Sequence, residues 1–344
     1  MIKVFMLVGI VLSGALVGAG QTIQEPRTLL KEQMGLTDGQ IATIDGGRAF
    51  VKTLPSKTPA EVFIFGAVHV NAAPEDYLKF AFDMSRLRSL SSYLSVRRFS
   101  NPPRLSDLEG FTLEPDDIKN LRNCRPGKCD VQLSSEAMLQ LQKAVNWSVP
   151  DVAEQVNEWV RKMALDLLVR YQERGNSALE IYQDKSPGFN MDVAFQSLRG
   201  RFEALPVYLP ELKRYLLEYP VAIGPNVESF FYWEKVNFGL KPTLRLNHVI
   251  AYRSTGPRGE ASVVAVKQLW ASHYFQLALD LTACVPESSR TNGAGTYVIS
   301  LKGSTQQGLT GFLGRLRRRT VVSKALSAQE NNLINIKKVL EARK

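Results

Sequence analysis

Five runs of sequence near the C-terminus decide the fold: FFYWEKVNF (230–238), TLRLNHVIAYR (243–253), ASVVAVKQLW (261–270), SHYFQLALDLTACV (272–285) and TYVISLK (296–302). Each run is rich in β-branched and aromatic residues. Clusters of Gly, Pro and Asn separate one run from the next, as turns do. This stretch therefore predicts a meander of antiparallel strands.

Helices are predicted on both sides of this meander. After it, apolar and amide side chains recur at spacings of three and four from Val322 to Leu340, which is typical of a long terminal helix. Before it, a similar stripe over 152–171 predicts an amphipathic helix within a helical block at about 135–220. Helices segregated from an antiparallel sheet define the α+β class.

The segment upstream of the helical block adds further strands. Residues 61–70 (EVFIFGAVHV) and 93–99 each predict a strand, and Pro74 favours a helix that runs through Asp83. Residues 41–54 predict a strand, a turn at Gly46-Gly47 and a second strand. Residues 21–40 are polar and weakly patterned, so they are interpreted as a leader.

Composition narrows the function classes. The chain has 344 residues, of which 44% are hydrophobic and 22% charged, values typical of a globular protein. Its three histidines and three cysteines are too few for a disulfide scaffold or a closed four-cysteine zinc site. The sequence contains no G-x-S-x-G, Walker A, H-E-x-x-H or complete G-x-G-x-x-G motif. We therefore predict no metal and no cofactor.

The N-terminus has the features of a secretory signal peptide. Lys3 is the only charge before Glu25, residues 4–17 are an apolar run, and small residues precede a cleavage site near Ala19/Gly20. An uncleaved membrane anchor is the alternative, but the run is short for a span of about 20 residues. We predict a signal peptide at 1–20 and an exported protein, periplasmic or secreted.

Export changes the interpretation of the cysteines. Cys124 and Cys129 enclose Arg-Pro-Gly-Lys, a turn-forming tetrad, so an oxidising compartment would allow them to form a disulfide. A zinc site would need a second ligand pair that this segment lacks. Cys284 lies in an apolar run and is predicted to be a buried, inert thiol.

Two clusters carry residue types suited to ligand binding or chemistry. If His273 lies in a strand, its side chain shares a face with apolar side chains. It is then either a core histidine whose ring is satisfied by a hydrogen bond, or a residue that lines a cavity and acts as a base near neutral pH. Lys267 could hold an anionic group or could be a solvated strand lysine. The aromatic cluster at 230–238 fits either core packing or an apolar pocket. The candidate ligand-binding residues are Tyr232, Trp233, His248, Lys267, Trp270, His273 and Tyr274.

The basic residues are concentrated at the C-terminus. The formal net charge is +10, and residues 315–344 carry seven of those ten charges. An anionic lipid surface is a candidate partner, since each cation contributes about 1 kcal/mol of binding free energy at such a surface. Nucleic acid is disfavoured as a partner because the protein is predicted to be exported. The alternative is that the segment is ordinary solvated surface. Because cations oppose the dipole at a helix N-terminus, the helix is predicted to start near Thr320. The candidate anionic-surface residues are Arg315, Arg317, Arg318 and Arg319.

Two resemblances add to this reading. The segment GAVHVNAAPEDYLKFAFD (66–83) is similar to the opening strand and first helix of START-like (SRPBCC, helix-grip) domains, and the strand meander closed by a long helix is also similar to that fold. The resemblance covers 61–100 and 227–343 and implies an antiparallel sheet wrapped on the terminal helix around an apolar cavity that binds lipids, sterols or other hydrophobic molecules. The segments CRPGKCDVQLS and KQLWASHYF also resemble an uncharacterised group of exported bacterial proteins.

These observations yield one preferred hypothesis and two alternatives. We expect residues 41–344 to form a single START-like domain, with the helical block as an insertion, that binds a hydrophobic or amphipathic small molecule without catalysis. The first alternative is an enzyme of the same fold, with His273 as acid/base and Lys267 as anion holder. The second is an envelope interaction protein that uses its basic C-terminal segment.

Overall fold

A computed structural model describes residues 25–202, 210–222, 224–256, 259–287 and 295–342 of the chain. The predicted signal peptide and its cleavage site lie outside the described residues.

An eight-stranded antiparallel sheet dominates the structure. Its strands are β1 (Phe50–Thr53), β2 (Glu61–Val70), β3 (Tyr93–Arg98), β6 (Val227–Val236), β7 (Thr243–Gly256), β8 (Gly259–Ala271), β9 (Phe275–Pro286) and β10 (Thr296–Gln306). They lie side by side in the order β1-β2-β10-β9-β8-β7-β6-β3. The predicted meander is thus confirmed over β6 to β10. Two short strands, β4 (Ile181–Tyr182) and β5 (Phe189–Asn190), pair separately.

In the described part of the chain, helices precede β1, lie between β2 and β3 and between β3 and β6, and follow β10. Short helices α1 (Pro26–Thr28), continued by a π-helical turn, and α2 (Asp38–Asp45) precede β1. Between β2 and β3 lie α3 (Pro74–Phe82) and α4 (Met84–Arg88). The block before β6 contains α5 (Pro115–Leu121), α6 (Ser135–Ala144), α7 (Val152–Arg174), α8 (Met191–Phe202) and α9 (Pro210–Glu218). The chain ends in α10 (Gly311–Glu341), which confirms the α+β class with a long C-terminal helix.

The two faces of the sheet have different covers. One face, which we call the block face, forms a core with the segment between β3 and β6 and with residues 29–44; Trp233, Leu246 and Tyr171 of α7 belong to it. The opposite face, the α10 face, carries Val249 and Val298 and packs against Leu333 of α10 and residues of α3. Side chains alternate between the faces along each strand.

Close packing fixes α10 against β2. Leu333, Ile336 and Leu340 are buried on the α10 face. Gly66 of β2 permits this approach, because a Cβ at that position would lie 2.8 Å from the Leu333 Cδ1. Nearer the start of the helix, Arg318 donates to the Glu61 backbone oxygen at the beginning of β2, and the Lys324 side chain approaches Gly239 in the turn after β6. The helix therefore lies along β2.

Three local predictions differ from the structure. Residues 41–45 belong to α2 rather than to a strand, because Thr37 and Gln40 form a capping box that starts a helix. The terminal helix begins at Gly311 and not near Thr320. The dipole penalty of about 0.3–1 kcal/mol per exposed cation is too small to prevent this start, and Arg318 donates to the backbone oxygens of Pro59 and Glu61.

The third difference concerns His273. Strand β8 ends at Ala271 and β9 begins at Phe275, so His273 lies in the intervening turn and does not follow strand alternation. Its neighbour Tyr274 has a φ of 59°, a left-handed conformation that turns the chain.

Candidate functional site

The seven residues proposed for ligand binding do not converge on one site. Tyr232 lies on the α10 face. Adjacent strand residues point to opposite faces, so Trp233 lies on the block face, as Trp270 does. His248 and Lys267 are fully buried and are joined through Tyr171 of α7, whereas His273 and Tyr274 lie in the β8–β9 turn.

Trp233 and Trp270 have packing partners on the protein itself. The indole Nε1 of Trp233 donates to the Asp107 backbone oxygen at 2.7 Å, and that of Trp270 donates to the Gln132 backbone oxygen at 2.9 Å. The ring of Phe111 contacts both indoles. Both tryptophans therefore fill the core and satisfy their polar atoms within it.

His273 belongs to a buried polar cluster beside the disulfide segment. Its Nε2 lies 2.9 Å from Asp117 Oδ2, and its Nδ1 donates to the Asp130 backbone oxygen at 2.9 Å. Lys241 Nζ donates to the other oxygen of Asp117 at 2.6 Å. Burial raises the pKa of Asp117, but the hydrogen bonds from His273 and Lys241 outweigh it and lower the pKa overall. These contacts tie the β8–β9 turn to the segment that follows Cys129.

The disulfide itself is present. Cys124 and Cys129 are bonded, as predicted, and Cys284 is a free, buried cysteine. Burial raises the pKa of the Cys284 thiol well above its usual range, so this thiol is protonated and unreactive at neutral pH.

A polar cluster on the α10 face was not predicted. Arg245 of β7 donates to Glu234 of β6 at 2.9 Å and to Gln268 Oε1 of β8 at 3.1 Å. The carboxyl group of Glu234 is almost fully buried, and burial raises its pKa despite the neighbouring Arg245. Ionised side chains are rare in the middle of a sheet unless they are paired. We name Glu234, Arg245, Asn247, Gln268 and Asp280 the polar cluster.

Part of this cluster has unused hydrogen-bonding capacity. Glu234 Oε2 and both amide atoms of Asn247 are buried and make no hydrogen bond of ordinary geometry, although the Asn247 amide lies near the Glu234 carboxylate. Unpaired buried polar groups cost about 1–3 kcal/mol each. A ligand that supplied hydrogen-bond donors and acceptors here would recover that free energy.

The cluster also opens to solvent in the centre of the sheet. The side chains of Asp280 in β9 and Lys302 in β10 are 35% and 38% exposed, and their charged atoms lie 3.6 Å apart. These strands are flanked on both sides in the sheet, so solvent reaches them across the α10 face. Asp280 is therefore the member of the polar cluster that solvent reaches, whereas Glu234, Asn247 and Gln268 are buried.

His248 and Lys267 belong to a second buried network, on the block face. Lys267 Nζ donates to Tyr171 Oη at 3.2 Å and also contacts Asn176 Oδ1. Burial lowers the pKa of Lys267 to about 7. Burial, and then the charge of Lys267, lower the pKa of His248 well below its usual value.

The four arginines at the start of α10 differ in their surroundings. Arg318 is held by Ser56, Pro59 and Glu61, whereas Arg315, Arg317 and Arg319 are exposed. Three large apolar side chains lie beside them in the same turns: Phe312, Leu313 and Leu316 are 81%, 64% and 54% exposed. Sequence reasoning identified the cations and missed these apolar neighbours.

Comparisons with protein-family models, curated proteins and solved structures find no match to this chain. Within the described residues, no group of three or more His, Cys, Asp or Glu side chains is placed to hold a metal ion. No helix in this part of the chain is long and apolar enough to cross a membrane.

Proposed function

We propose that this protein is an exported START-like protein that binds an amphipathic small molecule on the α10 face of its sheet. The strand meander followed by the long α10 supports the helix-grip assignment, because that family wraps an antiparallel sheet on its terminal helix. The disulfide supports export, since disulfides persist in oxidising compartments.

The polar cluster is the observation that carries this proposal. The buried carboxyl group of Glu234 and the amide of Asn247, whose hydrogen-bonding capacity is only partly used, lie on the same face as the apolar side chains of Val249, Val264 and Leu333. Such a surface favours a ligand with one polar end and one apolar part. The carboxylate accepts hydrogen bonds and the amide both donates and accepts, so the polar end should carry a hydroxyl or amine group.

Ligand extraction tests the proposal. The mature protein, purified from the cells that produce it, should carry a bound amphipathic molecule that mass spectrometry detects after organic extraction. Asn247→Leu removes both hydrogen-bonding atoms and should lower affinity for the isolated molecule about tenfold, which is the size of one lost hydrogen bond of about 1.5 kcal/mol.

Asn331→Leu is the matched control, because Asn331 is an exposed residue of α10. This variant should bind the extracted molecule as the wild type does. An empty wild-type protein, or equal affinity in wild type and Asn247→Leu, would contradict the proposal.

A second candidate function is docking to an anionic membrane surface. The observation that favours it is the pairing of exposed Phe312, Leu313 and Leu316 with exposed Arg315, Arg317 and Arg319. Apolar side chains enter the interfacial region of a bilayer while cations meet the headgroups, which is how peripheral helices bind.

Vesicle sedimentation tests this docking. Replacing Arg315, Arg317 and Arg319 with Gln should weaken binding to phosphatidylglycerol-containing vesicles about 100-fold at low salt, at about 1 kcal/mol per cation, and less at high salt. Phe312→Ser should weaken binding at all salt concentrations. The matched control is a triple substitution to Gln at three exposed cations elsewhere: Lys119 of α5, Arg122 just after α5 and Lys143 of α6. Equal losses in the two triple variants would refute a localised docking surface.

A further inference from the structure

A continuous chain of polar contacts crosses the block face from the surface to the core. Ser229 Oγ lies 2.9 Å from His248 Nε2, and His248 Nδ1 lies 3.2 Å from Tyr171 Oη. Tyr171 Oη lies 3.2 Å from Lys267 Nζ. Ser229 is half-buried, whereas the other three side chains have no exposed surface. Ser229 is therefore the end of this chain that a solute can reach.

The protonation state of Lys267 sets the direction of the hydrogen bonds. An ammonium group only donates, so Tyr171 must then donate to His248, and His248 Nε2–H donates to Ser229. A neutral amine can instead accept from Tyr171, which frees Tyr171 to accept from His248 Nδ1–H. In that state His248 Nε2 accepts the Ser229 proton, as a general base does.

The surroundings of Lys267 favour the neutral amine close to neutral pH. Among the described residues, the titratable groups that face it are Tyr171 from α7, His248 from β7 and Asp192 from α8. Its ammonium would also lie over the rings of Tyr171 and Phe195. Burial lowers the pKa of Lys267 to about 7, and Asp192 offsets this only in part.

We propose that Ser229 is a nucleophilic serine, activated through His248, Tyr171 and Lys267, that takes carboxylic esters as substrates. This site lies on the opposite face of the sheet from the polar cluster, so it does not depend on the ligand proposed there.

The reaction balances without a cofactor. Ser229 Oγ forms a bond to the ester carbonyl carbon, and its proton passes to His248 Nε2 while the Nδ1 proton moves to Tyr171 and the Tyr171 proton to Lys267. As the carbonyl–alkoxide bond breaks, one proton returns along the chain from Lys267 to the leaving oxygen. Water then forms a bond to the acyl carbon and loses a proton to His248. The bond between that carbon and Ser229 Oγ breaks, His248 returns the proton to Oγ, and the carboxylic acid is released.

Labelling with a fluorophosphonate tests the nucleophile directly, because this probe forms a bond to an activated serine oxygen and releases fluoride. Mass spectrometry of the labelled peptide should place the adduct on Ser229. The labelling rate should rise roughly tenfold or more between about pH 5.5 and pH 8, as Lys267 loses its proton. Hydrolysis of p-nitrophenyl acetate should show the same pH profile.

Variants separate activation from folding. Lys267→Met should remove the pH dependence, and His248→Gln should slow labelling at least about tenfold, while circular dichroism confirms that each variant is folded. Ser95→Ala changes a half-buried strand serine elsewhere in the sheet, and this control variant should be labelled as fast as the wild type. Absence of an adduct on Ser229 in the wild type at every pH, or a labelling rate without pH dependence, would overturn the proposal, and neither result requires a variant to fold.

Discussion

Replacing Arg245 with Leu is expected to lower the free energy of unfolding by about 3–5 kcal/mol, the usual cost of removing one partner of a buried ion pair. Arg245 is the residue that donates to the buried Glu234 carboxylate, at 2.9 Å. Without it, an uncompensated negative charge would remain in the sheet. Chemical denaturation monitored by tryptophan fluorescence measures the loss.

The loss should depend on pH. Burial holds the pKa of Glu234 above its unfolded value, so the folded state binds more protons and the stability contribution of this carboxyl group falls as pH rises. Loss of Arg245 raises this pKa further. The destabilisation should therefore be larger at high pH, where Glu234 is ionised, than at low pH, where it takes up a proton.

A double variant provides the control for charge. Glu234→Gln in the Arg245→Leu background removes the buried charge and should restore about half of the lost stability. If Arg245→Leu were as stable as the wild type at pH 8, the pair would contribute nothing to the fold. If the second substitution restored nothing, lost packing of the arginine would be the cause.

Replacing Lys267 with Met is expected to stabilise the protein at pH 6 by about 2 kcal/mol. Among the described residues no carboxylate contacts the buried ammonium group of Lys267, and burying such a charge is costly. Lys267 has no exposed surface, and burial lowers its pKa from 10.5 to about 7. Met fills a similar volume without the charge. The lost contact with Asn176 offsets part of the gain.

The wild type and this variant should differ in their response to pH. Between pH 7 and pH 10.5 the unfolded chain binds more protons than the folded one, so wild-type stability rises with pH across this window. The contribution of Lys267 amounts to about 3 kcal/mol between pH 6 and pH 9, at about 1.4 kcal/mol per pKa unit. The variant lacks this rise, so its advantage of about 2 kcal/mol at pH 6 should vanish as pH rises, and the wild type should be the more stable protein by about pH 9.

Urea denaturation at several pH values measures the difference between the two proteins. Lys338→Met, at an exposed position of α10, is the control and should track the wild type at every pH. A Lys267→Met variant less stable than the wild type at pH 6 would show that the buried amine stabilises the fold in its charged form, and would contradict the neutral state that the Ser229 relay requires.

Strands and long helices were predictable because their signal is local. Alternation over 61–70 and over the runs after 227 located β2 and β6 to β10, and the stripe from Val322 to Leu340 located α10. The turn that encloses Cys124 and Cys129 also predicted the disulfide. His273 was misplaced, because nothing in its apolar surroundings marks the left-handed turn at Tyr274.

The sites were less predictable, because they join distant residues. Lys267 and His248 were singled out by residue type, but Tyr171 and Ser229, which link and complete their network, carried no signal of their own in the sequence. Glu234 and Asp280 could have been noticed as charges in the interior of apolar strands, since such positions are costly without partners. Their partner Arg245 became identifiable only through the register of β6 with β7.

The sequence by itself determined where the long strands β2 and β6 to β10 lie and that the basic charges gather at the end of the chain, because composition and side-chain periodicity are properties of the chain alone. The tertiary structure decided what covers each side. Helix α10 packs against β2 on one face, and α7 brings Tyr171 between His248 and Lys267 on the other. The contact between Tyr171 and Lys267 joins residues 96 positions apart. Such contacts arise when helices bury their apolar stripes against a twisted sheet, which no local pattern records.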